Sequence, residues 1–198
     1  MSEVFAIKSL RSIATIKSQL QKSSMRNYTI FTFGINVGLR ACDLLKLQVK
    51  DIYDDDGNVR KELKLNEKKT SKDRVLYIND SAAAALQLFY QYQKDQGKFE
   101  QKNEFLFQSR KGENQPLSVR SLNRLVKIWC DNAHMKGNYG SHSLRKTFGY
   151  FLYTNNSANP YVLPYLQRIF RHSSQLVTLR YIGIEEKEIS EMYNELNL

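Results

Sequence analysis

The 198 residues carry 30 Lys+Arg against 20 Asp+Glu, a formal charge of +10, with 41% hydrophobic and 25% charged residues. That length suits one ordinary domain, which buries roughly 70% of its extended surface and needs no disulfide or metal staple. The apolar runs fall far short of the ~20 residues of a membrane span, MSEVFAIKSL has no secretory signal, and Cys42 and Cys130 make no disulfide framework, so a cytoplasmic protein of a reducing compartment is expected.

IKSLRSIATIKSQL, residues 7–20, spaces its apolar side chains at a helical period, and MRNYTIFTFGINVGL predicts a second, more uniformly apolar and buried helix. After Gly38, RACDLLKLQVKDI reads as a short helix, and Asp54-Asp55-Asp56-Gly57 is a turn signal between segments of strand character. A three-stranded antiparallel sheet is expected from Val49 to Tyr53, Val59 to Leu65 and Arg74 to Ile78, with Lys68 to Lys72 forming a basic hairpin tip. Asn79-Asp80-Ser81 caps the helix AAAALQLFYQYQKDQ, which Gly97 ends. FLFQSRKGENQPLS reads as an extended stretch and turn.

SVRSLNRLVKIWCDNAHM is a further helix whose Arg120, Arg124 and Lys127 form a stripe of the kind that is usually solvated. HSLRKTFGYFLYTN continues helical with Tyr150, Phe151 and Tyr153 packing, NNSANP is a polar loop, and VLPYLQRIFRH and LVTLRYIGI close the chain's ordered body. No repeat, low-complexity run or interdomain linker interrupts residues 1–198, so a single mainly helical α+β domain is expected.

The charge is uneven. The tail from Ile184 holds five glutamates against Lys187, which leaves the preceding body at +14 and points to a polyanionic partner. Four short pieces of that body suggest how such a partner is handled: Arg40 in GLRACDLLKL, Lys69 in EKKTSKDRV, His142 and Arg145 in SHSLRKTFG, and His172 with Tyr181 in RHSSQLVTLRY. Cleaving a DNA phosphodiester builds charge on its equatorial oxygens, and fixed cations answer that charge. Arg40 and Arg145 carry planar guanidinium forks that hold two phosphate oxygens in parallel, as lysine cannot. His142 and Arg145 are three positions apart on a predicted helix and share a face. Lys69, on the hairpin tip, has an ammonium that can protonate a departing 5′ oxygen, and Lys68 and Lys72 are rivals for the part. Tyr181 is a candidate nucleophile whose phenol is protonated at neutral pH and needs a neighbouring base or cationic field. His134 lacks such company and is expected to be structural.

GLRACDLLKL, SHSLRKTF and FRHSSQLVTLRY, in that order, resemble the arginine motif, the His-x-x-Arg motif and the closing histidine and tyrosine of the tyrosine recombinase family, the phage-integrase and Xer type. The resemblance runs from about Ile7 to the tail. It implies a mainly helical catalytic domain with a small antiparallel sheet, cleavage of one DNA strand at a time through a 3′-phosphotyrosine intermediate, and no metal or other cofactor. Residue by residue, it implies phosphate binding by Arg40 and Arg145, proton transfer by His142, general acid chemistry by Lys69, a phosphate-binding or orienting role for His172, and attack by Tyr181. The implied partners are double-stranded DNA sites and further copies of the chain, a homo-tetramer in the synapse and a monomer or weak oligomer when free. The tail, residues 184–198, is then expected to form a helix that docks on a neighbouring protomer or on its own body. The sequence departs from the family pattern at Asp43, where glutamate is commoner, at Arg171, where glycine usually precedes the final histidine, and in the longer NNSANPY connection. Nothing in the chain corresponds to the family's separate core-binding domain. A DNA-binding regulator that keeps the fold without turnover is the alternative expectation.

Overall fold

The computed structural model describes residues 3–65, 74–98, 104–184 and 194. The first helix, α1 (Leu10–Ser23), begins at Leu10 rather than at Ile7. Ser9 sets that start, because its hydroxyl accepts from the Ser12 N–H at 3.1 Å, while the Ile7 N–H is taken by the Thr147 hydroxyl at 2.8 Å. Ser24 ends α1 and caps α2 (Met25–Val37), a helix whose Ile30, Phe31 and Phe33 are wholly buried. That burial explains its uniformly apolar sequence: α2 packs along α5 (Asp80–Asp95) on one side and α7 (Ser141–Thr154) on another.

The short helix after Gly38 is α3 (Ala41–Leu45). The next segment corrects the sequence reading, since Val49 to Tyr53, expected as a first strand, forms the one-turn helix α4 (Val49–Ile52). The Gln48 N–H donates to the Asp51 carboxylate at 2.8 Å, a reciprocal cap that closes the turn. Val49 and Ile52, three apart, are both buried, which one turn of helix achieves and the alternation of a strand does not. Of the expected third strand only the single antiparallel bridge between Tyr53 and Val59 remains. Among the described residues the sheet has two antiparallel strands, β1 (Glu62–Leu65) and β2 (Arg74–Tyr77). Leu63 and Leu76 face each other on the buried side. The hairpin tip with Lys68, Lys69 and Lys72 lies outside the described residues, as does the tail apart from Ile184 and Asn194.

Helix α6 (Val119–Asn132) buries Leu122, Val126, Trp129 and Cys130 and leaves Arg120, Arg124 and Lys127 exposed, a solvated stripe. Two short helices, α8 (Val162–Phe170) and α9 (Gln175–Ile182), complete the body. The apolar interior is divided. A large core collects α1, α2, α5 and α6, with Phe31 edge-on to Trp129 at 6.0 Å between ring centres. A smaller cluster of Val162, Leu166, Phe170 and Ile182 joins α8 and α9 to α7. Helix α7 is the wall between them: Leu144 faces the large core, while Phe148 and Leu152 pack on the small cluster. Gly149 permits the close approach, because a Cβ there would stand 2.6 Å from both the Phe170 ring and Ile182.

Candidate active site

The site lies along this seam, where the end of α2, the start of α7, the end of α8 and α9 meet. Helix α2 stops at Gly38, whose φ of 65° is left-handed, and a Cβ there would run into the Phe148 ring at 2.3 Å. Two residues on, Arg40 is the extended N-cap of α3; its carbonyl accepts from the Asp43 and Leu44 N–H groups, and its side chain makes no capping bond.

Arg145, 3% exposed, ties three elements together. One nitrogen, Nη1, donates to the Gly38 carbonyl, and Nη2 donates to the Phe170 carbonyl at 3.2 Å. Its guanidinium lies 4.5 Å from the centre of the Phe170 ring, and its charge reaches the Tyr181 phenol. A buried guanidinium is costly unless its donors are used, and here backbone carbonyls use them.

His142 stands one turn before Arg145 on α7. Burial first, then the charges of Arg145, Lys146 and Arg40, hold its imidazole below the usual histidine range. His172 follows the left-handed C-cap Arg171, whose φ of 58° is the conformation that glycine adopts most easily. Its N–H donates to the Gln167 carbonyl at 3.1 Å, and its own carbonyl accepts from Gln167 Nε2 at 3.2 Å, which fixes the loop. Nδ1 of His172 lies 3.1 Å from the Thr178 hydroxyl, which already donates to the Ser174 carbonyl at 3.1 Å. With its one hydrogen so engaged, Thr178 accepts, so the neutral imidazole carries its proton on Nδ1 and keeps the Nε2 lone pair. Burial, then Arg145 and Arg40, also hold His172 below the ordinary range.

Tyr181 is half-buried on α9. Its ring meets His172 at 4.9 Å between centres and Phe170 at 5.3 Å, and Lys146 Nζ lies 5.0 Å from its centre. Burial pushes the phenol up from its ordinary range, while the charge and hydrogen bond of Arg145 and the charge of Arg40 pull it down. The fold thus brings Arg40, His142, Arg145, His172 and Tyr181 within electrostatic reach of one another. Lys69 lies outside the described residues, and His134 follows α6 just past its C-cap Ala133, with its N–H on the Asp131 carbonyl. The sequence reading passed over Lys146, Glu3, Thr178 and Phe170. The only local signal for Lys146 was its place beside Arg145; Thr178, six residues after His172, looked like an ordinary helix threonine.

Chemically, the arrangement is a patch of fixed cations beside a phenol and two imidazoles held neutral. It suits an oxyanion and a proton in transit, and it holds a phenol oxygen within the same cluster.

The chain is similar to known proteins in sequence and in fold. The family model described as Phage integrase family matches residues 4–188. The chain is 38% identical over 186 residues to the probable integrase/recombinase YoeC of Bacillus subtilis (strain 168), covering 94% of this chain and 93% of that one. It is 26% identical over 171 residues to the tyrosine recombinase XerC of Caldanaerobacter subterraneus subsp. tengcongensis, of which it spans 44%. Among solved structures, XerA recombinase superposes with a TM-score of 0.74 at 19% identity, over 100% of this chain and 67% of that one. XerH site-specific recombinase bound to palindromic difH substrate, a post-cleavage complex, superposes with a TM-score of 0.71 at 20% identity, over 96% of this chain and 51% of that one.

Proposed function

The chain belongs to the phage integrase family of tyrosine recombinases, and from that premise we propose that it breaks and rejoins DNA strands at specific sites through a covalent bond between Tyr181 and a 3′ phosphate. The observation that carries this reading is the gathering of the Tyr181 phenol, the Arg145 guanidinium and two imidazoles of lowered proton affinity along one seam. The phenol oxygen attacks phosphorus, its proton passes to His142, and the bond from phosphorus to the 5′ oxygen breaks. Lys69 supplies the proton to that leaving oxygen. Arg40 and Arg145 hold the non-bridging oxygens as their charge grows, a contribution of about 10²–10³ in rate for each lost donor. His172, fixed through Thr178, packs against the phenol ring and orients it. Reversal by the 5′ hydroxyl of an exchanged strand restores the phosphodiester, so no bond energy is lost and no nucleotide is consumed.

Double-stranded DNA is the proposed substrate, held through its phosphates by the +14 body, with binding that weakens as salt rises. Strand exchange between two sites calls for further copies of the chain in a four-protomer synapse, with the tail as the proposed docking element. The test is a labelled duplex nicked near the exchange point, drawn from DNA flanking the chain's own gene and incubated in EDTA. The expected result is a protein–DNA band resistant to denaturation, followed by rejoined strands when a 5′-hydroxyl partner is added. Strand breakage that needs a divalent metal and leaves no bound protein would refute it.

A further inference from the structure

The segment ahead of α1 does more than lead into the fold. The Phe5 N–H donates to the Asn138 carbonyl at 2.8 Å, Asn138 Nδ2 donates to the Glu3 carbonyl at 2.7 Å, and Ile7 is held by Thr147. Lys8 Nζ donates to the Gly183 carbonyl at the end of α9. The strap therefore touches α7, the loop before it and the helix that carries Tyr181. At its start the Glu3 carboxylate pairs with Lys146 Nζ at 2.6 Å. The pair is lopsided, with side-chain exposures of 62% for Glu3 and 7% for Lys146. Glu3 and Lys146 both line a cleft of about 400 Å³ shared with Lys8, Tyr139 and Arg180, and the Lys146 ammonium lies 5.0 Å from the centre of the Tyr181 ring.

We infer that Lys146 is a positioning residue for Tyr181, steered by Glu3, so that the strap at the chain's start tunes how readily the phenol attacks. The inference rests on the reading of Tyr181 as nucleophile. An ammonium over the ring stabilises the phenolate that forms on the way to attack. Glu3 offsets part of that charge and fixes where it stands. The other groups facing the phenol are Arg145 on α7, Arg40 ahead of α3 and His172 after α8, with His142 beside Arg145 and Lys146. All of them are cationic or neutral, so among the described residues Glu3 is the one acidic group joined to the cluster through an ion pair. Its loss leaves the field on Tyr181 more positive.

The two ends of the pair therefore act in opposite senses. Lys146→Met should slow adduct formation on the nicked duplex about threefold to tenfold at neutral pH and move the alkaline rise of the rate to higher pH. Glu3→Gln, which keeps an amide oxygen as acceptor for the Lys146 ammonium, should move that rise to lower pH, and Lys146→Arg should restore most of the loss. The ¹³Cζ resonance of Tyr181, assigned by its absence in Tyr181→Phe and titrated in the DNA-free protein, should shift its midpoint in the same two directions. This second reading involves no strand cleavage, so it separates a failed coupling from a failed nucleophile assignment. Midpoints unmoved by both substitutions, or moved the same way by both, would overturn the inference.

Discussion

The Arg145 guanidinium donates to the Gly38 and Phe170 carbonyls at the place where its charge acts on the Tyr181 phenol. One side chain thus serves the proposed phosphate site, the proposed nucleophile and the packing of three elements. Arg40 has no such double duty, since its side chain is half-buried and caps nothing.

The two arginines should therefore separate in their effects. Arg145→Lys keeps the charge but gives up the fork to two carbonyls, and should cost about 2–3 kcal/mol of folding stability as well as adduct formation. Arg40→Ala should change stability by less than about 0.5 kcal/mol while slowing adduct formation roughly 10²–10³-fold. Urea unfolding read beside the adduct rate distinguishes them; equal destabilisation by both would count against the division of labour.

Thr178 sets the tautomer of His172 through its hydroxyl, which lies 3.1 Å from Nδ1 and donates to the Ser174 carbonyl. Nitrogen-15 spectra of the neutral ring should show the proton on Nδ1, and Thr178→Val should release it toward Nε2 and lower the adduct rate roughly fivefold, the worth of about one hydrogen bond. An Nε2-protonated ring in the parent protein would refute the assignment.

Gly149→Ala tests the seam between the two cores. The added methyl has no room against Phe170 and Ile182, so α7 and the α8–α9 pair must part. A loss of about 1–3 kcal/mol is expected in thermal or urea unfolding, with Tyr181 displaced and the adduct rate reduced.

His142 and His172 both bind protons less readily in the folded state than an ordinary histidine does, through burial and nearby cations. The unfolded chain then takes up these protons first as pH falls. Their contribution to stability is complete above about pH 6.5 and is lost progressively as pH drops through the folded-state values. Melting temperature should fall on going from pH 7.5 to pH 5.5, and the pair of substitutions His142→Asn and His172→Asn should flatten that fall. A melting temperature that rises on acidification would contradict the sign.

Much of this site could be read from the chain because its groups sit in short motifs whose chemistry is local. His142 and Arg145 share a face by helical spacing, Gly38 marks the end of α2 just before Arg40, and the order of the pieces matches a known family. What was not legible depended on tertiary approach. Glu3 and Lys146 lie 143 residues apart, and only the docking of the strap on α7 joins them. The misread strand at Val49 to Tyr53 has a physical cause as well. Its β-branched Val49 and Ile52 favour a strand by propensity, but the cap between Gln48 and Asp51 and the burial of both apolar side chains on one side favour a turn of helix. Arg171 shows the converse: a non-glycine residue occupies a left-handed position that the family usually gives to glycine.

The most direct measurement is to identify which of the 12 tyrosines becomes attached to DNA. The covalent adduct formed on a nicked duplex in EDTA would be digested with protease and nuclease and its modified peptide sequenced by mass spectrometry. The account predicts a nucleotide phosphate on Tyr181 alone, joined through the 3′ position and absent from Tyr181→Phe. Attachment at another tyrosine, or an undiminished adduct in Tyr181→Phe, would contradict it.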